Sequence, residues 1–144
     1  MKYTQVKSIS LSFFALLAVS AQAEIEIQSQ ATIDPFTIGD ETIRELAGAV
    51  RGKTTKHSVA LIDFKPNGQS VKHYHPKIEE TYFVLEGKGR VEIGNEKADL
   101  TKGQLVVIPP MAVHQVFNTS DKDELKLLVV AAEPWTEGCQ VYVK

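Results

Sequence analysis

Residues 70–85 read Ser70-Val71-Lys72-His73-Tyr74-His75-Pro76-Lys77-Ile78-Glu79-Glu80-Thr81-Tyr82-Phe83-Val84-Leu85. Two short strand patterns, 70–74 and 80–85, flank a break at Pro76, whose ring removes a backbone donor and stops a strand. On an extended chain, positions i and i+2 share a face about 6.5–7 Å apart, so His73 and His75 can aim both imidazoles at one point. Four residues separate His75 from Glu80, enough to turn the chain and return a carboxylate from the adjacent strand. Tyr82 shares the face of Glu80 by the same parity.

Working outward, further strand patterns fall at 58–64, 89–93, 97–100, 104–108, 114–118, 125–132 and 140–143. Short strands at regular spacing, with turns at 65–68 and Gly94-Asn95 and a stop at Pro109-Pro110, predict an all-β sandwich or barrel. Residues 105–108 and 127–132 are apolar at every position, which predicts burial on both faces, under a second layer or a dimer partner. Residues 31–50 are the least regular part. Asp34-Pro35 signals a turn and 42–49 reads as a short helix, so 24–57 is expected to be an N-terminal extension of a domain spanning 58–144.

The chain has 144 residues, 43% hydrophobic and 24% charged, which allows one ordinary domain with a packed core. Sixteen basic against 18 acidic residues, with no basic block, leave no electrostatic footprint for nucleic acid. A single cysteine, Cys139, permits neither an internal disulfide nor a cysteine-rich zinc module, so any metal must be held by nitrogen and oxygen.

Residues 1–23 have the form of a cleaved export signal. Lys2 and Lys7 precede a short apolar run, 11–19, and Ala21-Gln22-Ala23 fits signal peptidase. The run is too short to span a bilayer. No arginine pair precedes it, so the chain is expected to cross the membrane unfolded and to acquire any metal outside the cytoplasm. Cleavage would leave a soluble periplasmic or secreted protein with no remaining membrane segment.

The third histidine of the strand series, His114, lies on a distant strand. With His73, His75 and Glu80 it completes three imidazoles and a carboxylate, a set suited to a divalent transition metal with exchangeable positions. The surrounding residues resemble the two motifs of the cupin superfamily. The first runs Gly68, His73, His75, Glu80, Gly87, with four residues between Gly68 and His73 where the family usually has five. The second runs Gly103, Pro109, His114, Asn118, with Met111 where the family usually has a glycine. The short gap from Gly87 to Gly103 is similar to that of compact single-domain bacterial cupins, and the resemblance covers about 58–132.

The resemblance implies a cupin-type jelly-roll barrel, a homodimer, and a metal ion held by His73, His75, Glu80 and His114. Zinc, iron, manganese, nickel and copper all suit that donor set. Val71, Val84 and Val116 are expected to wall a small, dry cavity where a small molecule chelates the ion. Two functions fit: an exported metalloenzyme of the dioxygenase or isomerase/lyase kind, with Tyr82 as the candidate proton-transfer group, or a non-catalytic module that binds a small molecule or the metal. The intact ligand set speaks against a storage or assembly role.

Other residues have plainer readings. His57 is expected at the surface and Asn118 to end its strand by side-chain to backbone hydrogen bonds. Gln115 and Phe117 should face away from the metal. Trp135 and Cys139 belong to a tail packed across a barrel end, Trp135 as packing or as a lid and Cys139 as an unreactive thiol.

Overall fold

The computed structural model describes residue 25 and residues 27–50 and 54–144. The segment read as an export signal, 1–23, lies outside them.

Among the described residues there are eleven strands, one 3-10 turn at Gln30–Thr32 and no α-helix: β1 (Phe36–Ile38), β2 (Glu41–Ala47), β3 (Ser58–Phe64), β4 (His73–Tyr74), β5 (Glu80–Glu86), β6 (Lys88–Ile93), β7 (Glu96–Thr101), β8 (Leu105–Ile108), β9 (His114–Asn118), β10 (Leu125–Ala131) and β11 (Val141–Tyr142). They form a six-stranded sheet ordered β1-β2-β3-β10-β5-β8 and a five-stranded sheet ordered β11-β4-β9-β6-β7. Every pairing is antiparallel. This is the expected jelly roll.

The helix expected over 42–49 is instead part of β2. Gly39, at φ +59, turns the chain between β1 and β2, and β2 then pairs with β1 on one side and β3 on the other. Those ladders satisfy the backbone groups that a short, weakly periodic helix would have had to satisfy alone. Residues 36–47, read as an extension, thus supply two strands of the larger sheet. The strand expected over 70–74 is reduced to His73–Tyr74, preceded by an isolated bridge between Gln69 and Phe117.

The register of the larger sheet sorts its inward side chains into rows. Phe64 faces Leu125; Ile62, Leu127 and Val84 form the next row; Ala60, Val129 and Tyr82 the next; Ser58, Ala131 and Glu80 the last. Bulk declines along these rows. Phe64, Leu125, Leu127 and Val84 are buried and close one end with Val91 and Val116, whereas Ala60, Ser58 and Ala131 leave space at the other. Val84 and Val116, expected as cavity walls, belong to this packed end. Val71 alone of the three lines the cavity.

Within a single chain, the two apolar runs are not buried on both faces. Strand β8 is a sheet edge with Leu105 and Val107 57% and 46% exposed, and Val130 on β10 is 37% exposed. Among the described residues no second layer covers Leu105, Val107 and Val130, so in the single chain these alternate residues are exposed.

Two tight turns carry unusual backbone. Gly87 joins β5 to β6 at φ +81, and a Cβ there would lie 2.3 Å from the Glu124 carbonyl oxygen. Gly87→Ala is expected to cost about 2 kcal/mol or more, read as a shift of the urea midpoint without change of slope. Met111, in the family's glycine position, nevertheless takes φ +68. Its side chain is exposed and meets no crowding, and its N–H donates to the His75 carbonyl at 2.8 Å.

Candidate metal centre

The four expected ligands converge where the two sheets meet at the open end. His73 in β4 stands in register with His114, the first residue of β9; His75 follows β4, and Glu80 opens β5. All four side chains are buried, and each offers a ligand atom within 4.8 Å of the others. Glu80 Oε2 lies 3.4 Å from His75 Nε2 and 3.3 Å from His114 Nε2. The Tyr82 hydroxyl donates to Glu80 Oε2 at 3.0 Å and stands 3.3 Å from His114 Nε2.

The opposite ring nitrogens define how the imidazoles present themselves. Each Nδ1 lies against a backbone carbonyl: His73 on Val71 at 2.7 Å, His75 on Cys139 at 3.1 Å, His114 on Ala112 at 2.9 Å. A carbonyl only accepts, so each Nδ1 carries a proton, and a ring in its neutral, metal-binding form turns its Nε2 lone pair inward. Burial, then the neighbouring His114, push the His73 imidazole down to about 4, which keeps it neutral. Burial alone would raise Glu80, but the His114 hydrogen bond and the surrounding histidines hold it below the usual carboxylate range. Three inward lone pairs and a carboxylate, buried together, are costly unless a cation answers them, and the nitrogen and oxygen donors fit a divalent transition ion.

A cavity of about 70 Å³ adjoins the cluster. A water needs roughly 10–15 Å³ on this measure, so the space suits on the order of five waters or a comparably small molecule. His73, His75, Glu80 and Tyr82 form one wall; Phe36, Ile38, Ile43, Ile62 and Val129 supply apolar surface. The C-terminal tail adds Trp135, Gln140 and Tyr142 to the lining. Trp135 stacks on Phe36 with ring centroids 5.8 Å apart, and its indole N–H donates to Gln140 at 3.1 Å. Strand β11 pairs with β4 and sets Tyr142 opposite His73. Trp135 is therefore packed into the cavity lining.

The remaining readings fall as follows. His57 is exposed beside Thr54 and is not part of the cluster. The Asn118 amide donates to the carbonyls of Phe64, Lys65 and Asp123, tying the end of β9 to two loops. Gln115 points away from the cluster and donates to the Ser70 carbonyl. Burial raises the Cys139 thiol above its ordinary range, so it stays protonated, and what this residue offers the site is its carbonyl.

Two cavity residues escaped the sequence reading, Glu41 and Glu45 on β2. Strand parity was the available signal, since Glu41, Ile43 and Glu45 share one face once 41–47 is read as extended. Glu45 accepts from Ser58 Oγ at 3.0 Å. Glu41 is 8% exposed, and burial, followed by the charges of Glu80 and Asp40, pushes its carboxyl up to about 8.

Comparison with known proteins agrees with this architecture. Residues 60–131 match the family model of the cupin domain. An uncharacterized protein of Methanocaldococcus jannaschii is 32% identical over 105 residues, covering 72% of this chain and 83% of that protein. The chain belongs to the cupin family. An uncharacterized conserved protein of Klebsiella pneumoniae with a double-stranded β-helix domain superposes with a TM-score of 0.67 at 19% identity, over 84% of this chain and 99% of that one. The oxalate decarboxylase of Lactobacillus farciminis, solved with formate, gives 0.68 at 21% identity over 79% of this chain and 34% of that one. At these identities both likenesses speak for the fold alone.

Proposed function

We propose that this cupin is an exported metalloenzyme that binds one divalent transition metal ion through His73, His75, Glu80 and His114 and acts on a small molecule in the adjoining cavity. The observation that carries this reading is the placement of the rings: three Nδ1 atoms lie on backbone carbonyls, and the three Nε2 atoms left for an ion converge beside Glu80. Such an ion supplies a Lewis-acid or redox centre with open positions for a ligand. The chain supplies the rest. Apolar walls, with Trp135 among them, surround a small ligand, while Tyr82, held between Glu80 and His114, carries a proton at the edge of the cavity.

Elemental analysis of protein recovered from its compartment without chelators tests the reading, with near one equivalent of a transition metal expected. Iron or nickel directs oxygen-uptake screens and zinc or manganese directs isomerase and lyase assays. No metal, even after reconstitution, rejects the metal centre. In an active metal-loaded preparation, Tyr82→Phe should keep the ion and lose about 10²–10⁴-fold in turnover. Full turnover in that variant would reject Tyr82 as the proton carrier. The small, largely apolar cavity also suits a second reading, a module that retains a small molecule without turning it over.

The same proposal includes export and pairing. An N-terminus beginning at Glu24 in recovered protein is the expected sign of cleavage. The outer face of the larger sheet aligns Leu61, Leu128, Phe83 and Leu105 in one cross-strand row and Val59, Val130, Thr81 and Val107 in the next. A second copy covering that apolar face would give a dimer in sedimentation, and Leu105→Asp should shift it to monomer.

A further inference from the structure

Ten polar side chains line the cavity beside the cluster, and Glu41 is the one among them whose polar atoms have no hydrogen bond among the described residues. Its place explains why. Glu41 pairs with Ile38 on one side and Phe64 on the other, with Ile43 two positions on, so its carboxyl sits in an apolar row with no donor or acceptor alongside. Leaving a buried carboxyl unanswered is costly, and a binding cavity is where such a group gains a partner from outside the chain. No lysine or arginine lines this cavity, while three carboxyl groups do, those of Glu41, Glu45 and Glu80.

Resting on the metal-centre reading above, we propose that Glu41 is a ligand-recognition residue, its carboxyl hydrogen-bonded to a hydroxyl of a small, uncharged hydroxy-carbonyl compound whose other oxygens reach the ion. The size of the cavity limits that compound to a few non-hydrogen atoms. The absence of a lining cation selects against dicarboxylates, whose second carboxylate would find only Glu41 and Glu45 to face. The apolar walls suit an uncharged carbon body. Burial holds the Glu41 carboxyl up to about 8, so at neutral pH the metal-free protein presents an acid able both to donate and to accept.

The test uses cobalt(II)-loaded full-length protein and the visible absorbance of the ion, with dihydroxyacetone, hydroxyacetone and oxalate as probes. Dihydroxyacetone and hydroxyacetone differ by one hydroxyl. Wild type is expected to bind dihydroxyacetone about tenfold more tightly, the effect of one well-made hydrogen bond to a buried carboxyl. Glu41→Leu should erase that preference, and Glu41→Gln, which still accepts a hydrogen bond, should keep part of it. Oxalate should bind Glu41→Leu at least as well as wild type. An unchanged cobalt spectrum in both variants shows that the fold and metal centre survive.

Equal binding of the two ketones by wild type, binding of neither, or a preference that persists in Glu41→Leu would overturn the proposal. So would a tenfold loss of oxalate affinity in that variant, which would assign Glu41 to acids. Failure of the wild type itself to take up cobalt would be a different result. It would reject the metal centre first and this inference with it.

Discussion

His114→Ala protein is expected to lose its transition metal, with occupancy falling from near one equivalent to a few per cent under conditions that saturate wild type. Removing even an outer hydrogen-bond partner of a metal ligand commonly costs 10–100-fold in affinity, so removing the ligand itself should cost more than about 100-fold. The geometry makes this position sensitive. His114 Nε2 stands 3.3 Å from both Glu80 Oε2 and the Tyr82 hydroxyl, so the deletion removes a donor and unsettles two neighbours. His114 is also the one ligand that β9 supplies to the cluster among the described residues. His57→Ala, an exposed position, should leave occupancy unchanged in the same assay. Equal metal content in the His114 and His57 variants would show that the ion, if any, binds elsewhere.

A second large effect is expected in metal-free protein as a function of pH. The Glu41 carboxyl has an ordinary value of 4.5 and is pushed up to about 8 in the fold, by burial first and then by Glu80 and Asp40. A folded-state value raised above the unfolded one means that the folded protein holds its proton more tightly. The stability from that proton is complete below about pH 4.5 and is lost as pH rises through about 8. At 1.36 kcal/mol per pH unit the displacement is worth on the order of 5 kcal/mol. Glu41→Gln removes the titration while preserving shape, so wild type minus variant, measured by urea unfolding at pH 5 and pH 9, isolates it from every other group. The variant should be the more stable protein at pH 9. Parallel pH profiles for the two proteins would show that the carboxyl is solvated.

That comparison bears on why Glu41 was invisible in the sequence while His73, His75 and Glu80 were not. The histidine pair needs only the local parity of an extended chain, and the turn at Pro76 leaves Glu80 within reach. His114 joins them through the second motif. Glu41 depends on reading 41–47 as a strand, and the residues there, Glu-Thr-Ile-Arg-Glu-Leu-Ala, suit a helix nearly as well. Pairing with β1 and β3 decides the matter, and those partners lie in different parts of the chain. Similarly, Val84 and Val71 are both apolar strand-side residues, yet one closes the packed end and the other lines the cavity.

Periodicity of two and turn residues at short intervals determined an all-β sandwich or barrel, the spacing of three histidines and a glutamate determined the composition of the candidate metal centre, and the resemblance of the two motifs to cupins implied the jelly roll. Those are local properties, carried by φ/ψ preference and by alternation along one strand. Tertiary structure alone decided which carbonyls hold each Nδ1, where small residues leave a cavity, and that β2 turns a lone carboxyl toward it. Such features depend on the order and register of strands distant in sequence. Burial, which sets the cost of an unanswered charge, exists only once those strands have met.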